Sequence, residues 1–430
     1  MLDINLIRED PGRVAAALAK RGFVADFAEL LAWDKERREA IASVERMKAD
    51  RNKASAEVPR LMKEGADVSA LTSGMKELSE KIRARDAAVG AVGAKIEAFL
   101  ASIPNTPDDD VPAGDKDQNV VERVWGEKPP LGPGAKNHVD LVTELRLVDY
   151  ERGVKLGGSG FWLYAGDGAL MEWALLNYFV EEHLKDGYVF LLPPHILNYA
   201  CGYTAGQFPK FEGDVFALDR DDGADLSFML PTAETALVNV HRGEVLDEAD
   251  LPKKYFAYTP CYRKEAGSAR TEERGMIRGH QFNKVELVQY TAPERSDDAL
   301  EELAAKAERL VRGLGLHYRV SKLAAGDVSA AMAKTYDIEV WLPSMGIYKE
   351  VSSASNSRDY QARRGDIRFR RKGARRNEFV HTLNASGLAT SRIMPAIVEQ
   401  LQRPDGSVTV PEPLRKWVGK EVLEPKQRWA

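Results

Sequence analysis

Hydrophobic positions follow two different rhythms along this chain. From Leu71 to Ile103 they recur at alternating steps of four and three: Leu71, Met75, Leu78, Ile82, Arg85, Val89, Val92, Ile96, Phe99 and Ile103. Nine of these ten are apolar, which predicts a heptad seam on one long helix. The segment from about Phe27 to Met62 is charged and helical in composition. Its seam is weaker, with Leu30, Ile41, Val44, Val58 and Leu61 interrupted by Asp34 and Arg37. Pro59 has no amide hydrogen and is expected to kink or shorten that helix near its end. A turn is expected at 63–69, "KEGADVS". The pattern predicts an antiparallel helical hairpin with arms of about 35 residues, reaching about 50 Å. A dimerisation coiled coil or a spacer fits the same pattern.

The rhythm changes after "SIPNTPDDDVPAGDKDQN" (102–119), which is rich in Pro, Asp and Gly and has the character of a linker. Residues 168–187 form an amphipathic helical pattern with a glycine stop. Residues 188–197 are strand-like and end at two prolines. Further strand-like pieces fall around 227–235, 254–265, 280–290, 317–323, 337–351 and 379–386, and a last helix is expected from about Gly387 to Leu401. Few crossover helices separate these strands, so a mainly antiparallel sheet is predicted.

Bulk composition narrows the class. With 430 residues, two or three domains are expected. The net charge of −5 neither requires nor excludes a nucleic-acid partner, because a local basic patch can act within an acidic protein. Two cysteines, Cys201 and Cys261, cannot build a disulfide framework and lack the company of a zinc site. A reducing, cytoplasmic setting is expected. "MLDINLIRED" carries charge without an apolar core, so no signal peptide is expected, and no run of 18 apolar residues predicts a membrane span.

Four strand-like segments each carry a same-face polar pair, since positions i and i+2 share a face. Arg263 and Glu265 form one, in "YRKEA"; Phe282 and Glu286 lie across the loop from them. Thr232 and Glu234 form another in "LPTAET", and Asn384 and Ser386 a third in "LNASG". "YKEVSSASN" adds Glu350, Ser352 and Ser353. One such pair is ordinarily a solvated strand face; four together suit a polar pocket on a sheet. Arginine beside glutamates suits a phosphate next to an amine or a metal ion. An aromatic ring on that face can stack a base. Glu350 with serines offers hard oxygen ligands for Mg²⁺. Neither the P-loop G-x-x-x-x-G-K-[ST] nor a dinucleotide G-x-G-x-x-G is present, so a bound nucleotide would need another scaffold.

"YRKEAGSA…RGMIRGHQFNKVELV" resembles motif 2 of the class II aminoacyl-tRNA synthetases in its seryl-tRNA synthetase form. "KEVSSASNSRDYQARR" and "LNASGLATSRIMPAIVEQLQRPDGSVTVPEPLR" are similar to that family's serine-site segment and motif 3. "MLDINLIREDPGRVAAALAKRG", the hairpin, "GQFPKFEGDVF" and "PTAET" match as well, so the resemblance runs from residue 1 to about 418. It implies an α+β fold: an N-terminal antiparallel coiled-coil arm (about 27–103, within a helical domain 1–103), a linker (104–119) and a class II catalytic domain (120–430) with an antiparallel sheet flanked by helices. The implied reaction is serine plus ATP to seryl-adenylate, then transfer to tRNA(Ser), with tRNA(Sec) left open. It implies a homodimer through helix 168–187 and Pro193-Pro194, and no membrane partner.

By the same resemblance, Arg263 contacts the α-phosphate, Glu265 the adenine edge and Phe282 its face. Arg392 lies across the adenine and near the γ-phosphate, and Glu350 with Ser353 holds Mg²⁺. Lys264, Met276, Ile277, Val351 and Ser352 complete the ATP site. Thr232, Ala233 and Glu234 receive the amino group, Glu286 and Ser386 the hydroxyl, and Asn384 belongs to the same pocket. Lys48, Arg51 and Lys53 on the arm are the implied tRNA contacts. The basic run 363–376 holds eight Arg or Lys and is either a solvated loop or a phosphate contact. The chain departs from the family in the motif 2 loop, "ARTEERG" (269–275) with Arg270, Glu272 and Glu273, and at Ser391 and Ala354. These departures leave two other readings: a paralogue conferring resistance to a serine-mimicking inhibitor, or a non-catalytic RNA-binding or regulatory relative.

Overall fold

A computed structural model describes residues 1–218, 226–265 and 275–426. The chain divides into two compact units: Leu2–Ala16 with Val24–Ile103, and Met1, Ala17–Phe23 with residues 104 onward.

The first unit is dominated by two long antiparallel helices, α1 (Ala28–Lys63) and α2 (Ser69–Ser102). The nine apolar seam positions from Leu71 to Ile103 are all buried or half-buried, while Arg85 at the interrupting position is exposed. Leu30 and Val44 of α1, Ile82 and Ile96 of α2, and Ile103 just beyond its end are the most buried seam residues. Asp34, the polar break in the first seam, is buried too. It accepts from Arg8 (2.8 Å) and Arg38 (2.9 Å), which outweigh its burial and hold its carboxyl below the usual range. Pro59 neither ends nor shortens α1, which continues to Lys63. Ser55, whose carbonyl loses its amide partner there, is exposed, so water can satisfy it.

The second unit is built on an eight-stranded sheet. Its strands are β1 (Val120–Trp125), β2 (Val189–Leu191), β3 (Lys253–Tyr262), β4 (Gln281–Thr291), β5 (Tyr318–Lys322), β6 (Lys334–Leu342), β7 (Ile347–Asn356) and β8 (His381–Ala389). The order is β1-β5-β6-β7-β8-β4-β3-β2, antiparallel except that β2 runs parallel to β3. Helices α3 (Asp167–Lys185), α4 (Ser296–Gly313) and α5 (Thr390–Gln400) cover one face. Val285 and Leu287 of β4 point into that main core. The alternate residues Val288 and Tyr290 face a second core with Phe208, Phe228 and Leu237. Strand β4 is therefore buried on both sides along much of its length, and its remaining even positions are available to a site.

Two expected strands are different elements. Residues 337–351 form not one strand but the hairpin β6–β7, turned at Pro343–Gly346, where Gly346 takes φ +65°. Residues 227–235 are a short strand, Ser227–Met229, followed by a turn into the helix Glu234–Leu237. No helix among the described residues is long and apolar enough to cross a membrane.

Candidate active site

Strands β4, β7 and β8, with the residues that follow β3, line a cavity of about 460 Å³, joined by shared walls to a smaller one of about 80 Å³. Arg263, Glu265, Arg278, Lys284, Glu350 and Ser386 line both. Thr232, Glu234, Glu286, Ser353 and Asn384 line the larger one, and Ile277, Phe282, Val351, Ser391 and Arg392 the smaller.

Strand β4 supplies the axis. Phe282, Lys284 and Glu286 alternate onto one face, running from the smaller cavity to the larger. At the deep end, Glu286 is fully buried. It accepts from Asn384 Nδ2 (3.0 Å), from Ser386 Oγ (3.4 Å) and from the Lys284 ammonium. A carboxylate offers about four lone-pair sites, so these three donors leave room for one more. Asn384 also donates to Glu234 (3.3 Å), which accepts from Gln361 as well (2.8 Å). Burial, then the charge of Glu286, push the Glu234 carboxyl up to about 7, against the pull of Gln361, Lys284 and Arg263. Thr232 and Glu234 arrive from a turn and a helix start rather than from a strand face; Glu234 N donates to Thr232 Oγ1 at 3.3 Å. Ala233 is buried beside them.

At the other end, the Arg263 guanidinium stacks over Phe282 at 5.2 Å from the ring centroid, and its Nε donates to Pro231 O (3.1 Å). Strand β3 ends at Tyr262, and Glu265 lies beyond it with φ +50°, paired with Arg278 (2.5 Å). Arg392, on the first turn of α5, reaches both the carbonyl and the carboxylate of Glu350 at 3.0 Å. Burial opposes ionisation of Glu350, but Arg392 and Arg263 outweigh it and hold its carboxyl below the usual range.

Glu350 and Ser353 meet through a β-bulge. Opposite β6, Glu350 pairs with Glu339 and Ser352 with Ile338, so Val351 is an inserted residue. That brings Ser353 Oγ to 3.3 Å from Glu350 and 2.6 Å from Asp337, while Ser352 turns away to donate to Ser386 O (2.6 Å). Burial and the nearby Glu350 charge push the Asp337 carboxyl well above its ordinary range. Two carboxylates and a hydroxyl crowded together, with one carboxylate disfavoured as an anion, form an oxygen set suited to a hard cation. Magnesium takes few protein ligands and fills the rest with water and phosphate, so the set fits it. Among the described residues no group of three or more His, Cys, Asp or Glu could hold a metal by itself.

Other expected positions fall outside these walls. Lys264 is exposed, its amide bonded to Asp214 O, and Met276 is buried in the main core. On the arm, Lys48 pairs with Asp86 (3.0 Å), Arg51 is half-buried and Lys53 is exposed. Arg270, Glu272 and Glu273 lie outside the described residues. Ala354 is buried in β7, opposite Ala385. Arg364 is buried and donates to the Tyr203 and Phe208 carbonyls, Arg371 pairs with Glu248, Glu294 and Glu378, and Arg363 pairs with Asp359. Three of the eight cations in the basic run 363–376 are spent on the fold in this way.

Profiles of two families match the chain: the seryl-tRNA synthetase N-terminal domain over residues 1–107, and the tRNA synthetase class II core domain (G, H, P, S and T) over 216–401. Serine–tRNA ligase 2 of Clostridium acetobutylicum is 60% identical over 98% of this chain and 100% of its own length. The chain belongs to the seryl-tRNA synthetases. It is thus an aminoacyl-tRNA synthetase, a ligase of class II. The serine–tRNA ligase of Caldicellulosiruptor bescii is 47% identical over 99% of this synthetase and 100% of its own chain. The crystal structure of seryl-tRNA synthetase from Pyrococcus horikoshii complexed with ATP superposes with a TM-score of 0.91 at 35% identity, covering 99% of this synthetase and 100% of that chain. The α+β architecture expected for the family, with long N-terminal helices and a largely antiparallel sheet, is the one observed. Neither the resistance paralogue nor the non-catalytic relative is favoured by these likenesses. Sequence reasoning missed Lys284, Arg278 and Asp337. Lys284 had a signal: it lies at i+2 from Phe282 and i−2 from Glu286.

Proposed function

We propose that this synthetase activates L-serine with ATP to seryl-adenylate and transfers the seryl group to the 3′ end of tRNA(Ser). The observation that carries this is the pair Glu234 and Glu286, bridged by Asn384, at one end of a cavity whose other end holds Arg263 over Phe282. Glu234 with Thr232 suits an ammonium, and the remaining acceptor site on Glu286 suits a hydroxyl. Phe282 and Arg392 face an adenine between them, and Glu265 takes its edge. The serine carboxylate is ionised at neutral pH, so its attack on the α-phosphorus needs no general base. The site has to position two anions and offset the charge that develops on the phosphate. Arg263 and Arg392 supply fixed positive charge for this. Glu350 and Ser353 would hold Mg²⁺, which neutralises phosphate charge when bound.

The helical hairpin α1–α2 is the tRNA-binding arm in this reading, and its length suits contact with RNA backbone and shape. Exposed Trp173, Leu192 and Ile196 on α3 and around Pro193-Pro194 support a homodimer through this region. A monomeric mass in sedimentation at micromolar concentration would remove the dimer. The setting is the cytoplasm, where tRNA is charged. The test of the whole reading is serine-dependent ATP–pyrophosphate exchange followed by charging of tRNA(Ser). Absence of exchange with serine, under conditions where the folded chain binds ATP, would overturn it.

A further inference from the structure

We infer that the Lys284 ammonium binds the carboxylate of serine, the group that attacks the α-phosphorus. This rests on the serine-activating function above and adds a substrate contact to it. Lys284 is almost fully buried, at 6% exposure, on the central strand of the site. An ammonium carries three N–H donors. One goes to Thr232 Oγ1 at 2.7 Å and one to Glu286 Oε2. The third has no partner among the described residues, and Lys284 lines both cavities at their shared wall.

Position decides what that donor meets. Phe282 and Glu286 flank Lys284 at i−2 and i+2 on the same strand face, each about 7 Å away along the strand. The lysine thus sits midway between the aromatic platform and the hydroxyl acceptor, where the reacting ends of nucleotide and amino acid converge. Both of its existing partners, Thr232 and Glu286, belong to the amino-acid end. Serine carries its hydroxyl and its carboxylate on adjacent carbons. A serine whose hydroxyl sits on Glu286 therefore presents its carboxylate beside the ammonium paired with that glutamate. Holding one carboxylate oxygen there leaves the other to form the new O–P bond. The bond to pyrophosphate breaks with its electron pair leaving on pyrophosphate, and Lys284 keeps its proton throughout.

The test compares serine with serinamide, in which a neutral amide replaces the carboxylate, by calorimetry on the full chain. In Lys284→Met the dissociation constant of serine should rise on the order of 10- to 100-fold, the loss expected for one charge-assisted hydrogen bond. That of serinamide should move less than about threefold, because the neutral amide does not use the charge. Equal weakening of both ligands would show that Lys284 acts only by holding Glu286, and no change in either would remove it from the site; both outcomes overturn the inference. Should Lys284→Met strand the buried Glu286 charge and unfold the chain, the comparison is made in a Glu286→Gln background. There the same fall in preference for serine over serinamide is expected, and an unchanged preference overturns the inference. Serine-dependent exchange by the unaltered chain is the control: its failure sinks the ligase reading, whereas its success with an unaltered serine preference in the variant sinks Lys284 alone.

Discussion

Lowering the pH from 8 to 6 should weaken serine binding about tenfold through Glu234 alone. Burial and the Glu286 charge raise its carboxyl to about 7. The sign follows directly. Below pH 7 the group is mostly protonated and neutral, and a neutral carboxyl is a poor partner for serine's ammonium, which stays charged over this range. Ionised fractions of about 0.9 at pH 8 and about 0.1 at pH 6 follow from a group titrating near 7, so the dissociation constant rises by about their ratio. Binding at pH 6 must also expel the proton that Glu234 holds, close to one per serine bound. Calorimetry at pH 6 in two buffers of different ionisation enthalpy reads that release, and titrations at pH 6, 7 and 8 read the affinity. Glu234→Gln should bind serine weakly and with a flat profile. An affinity that stays constant from pH 6 to pH 8, or proton uptake on binding, would refute the placement of Glu234 against the ammonium.

Three other changes separate the parts of the site. Arg263→Ala should slow serine-dependent exchange by roughly 10²–10³-fold with an unchanged melting temperature, as for other lost charge-stabilising contacts; a rate near that of the parent would contradict its phosphate role. Glu286→Ala takes one acceptor from each of Asn384 and Lys284 and should narrow the preference for serine over alanine from its expected order of about 10⁴. Kinetics of exchange with the two amino acids measure this, and full serine activation would exclude Glu286 from the pocket. Removing the hairpin 27–103 should spare exchange and abolish tRNA charging, and charge reversal at Arg51 and Lys53 should weaken charging and flatten its salt dependence. Lys48 is a poorer probe because its reversal also breaks the ion pair with Asp86. Charging by the armless chain at the full rate would make the arm a structural element only.

Elements whose apolar period runs uninterrupted were legible to within a few residues. The helix expected at 168–187 spans Asp167–Lys185, and the strands expected at 254–265 and 280–290 span Lys253–Tyr262 and Gln281–Thr291. The failures came where the pattern persisted through a change of direction. Strand-like residues resume directly after Pro343–Gly346, so the pattern reads as one strand although the hairpin turn contains a proline and a glycine and the apolar phase shifts from even to odd positions across it. At 231–234 the apolar strand pattern runs on into a helix start, because Ala233 and Ala236 are buried by the second core rather than by sheet neighbours.

The site tested a subtler assumption, that i and i+2 decide which side chains meet. On β4 the assumption holds, since Phe282, Lys284 and Glu286 follow the pleat. On β7 it fails: the bulge at Val351 puts Glu350 beside Ser353, three positions on, and turns Ser352 toward Ser386. A bulge is a mismatch between two strands, set by the partner's register as much as by the bulged residues, so no window on β7 alone reveals it. The basic run 363–376 makes the same point for charge. Its eight cations form one block in sequence, yet Arg364 donates to the Tyr203 and Phe208 carbonyls, and Arg371 is held by Glu378 and by Glu248 and Glu294 far away along the chain. Charge density along the chain therefore overstates the charge available to a phosphate. Lys284 is the one lysine of its strand and belongs to no cluster of like residues in the sequence. What sets it apart is its company: a buried cation between an aromatic ring and a carboxylate must find anionic partners, and the fixed groups around it supply only part of them.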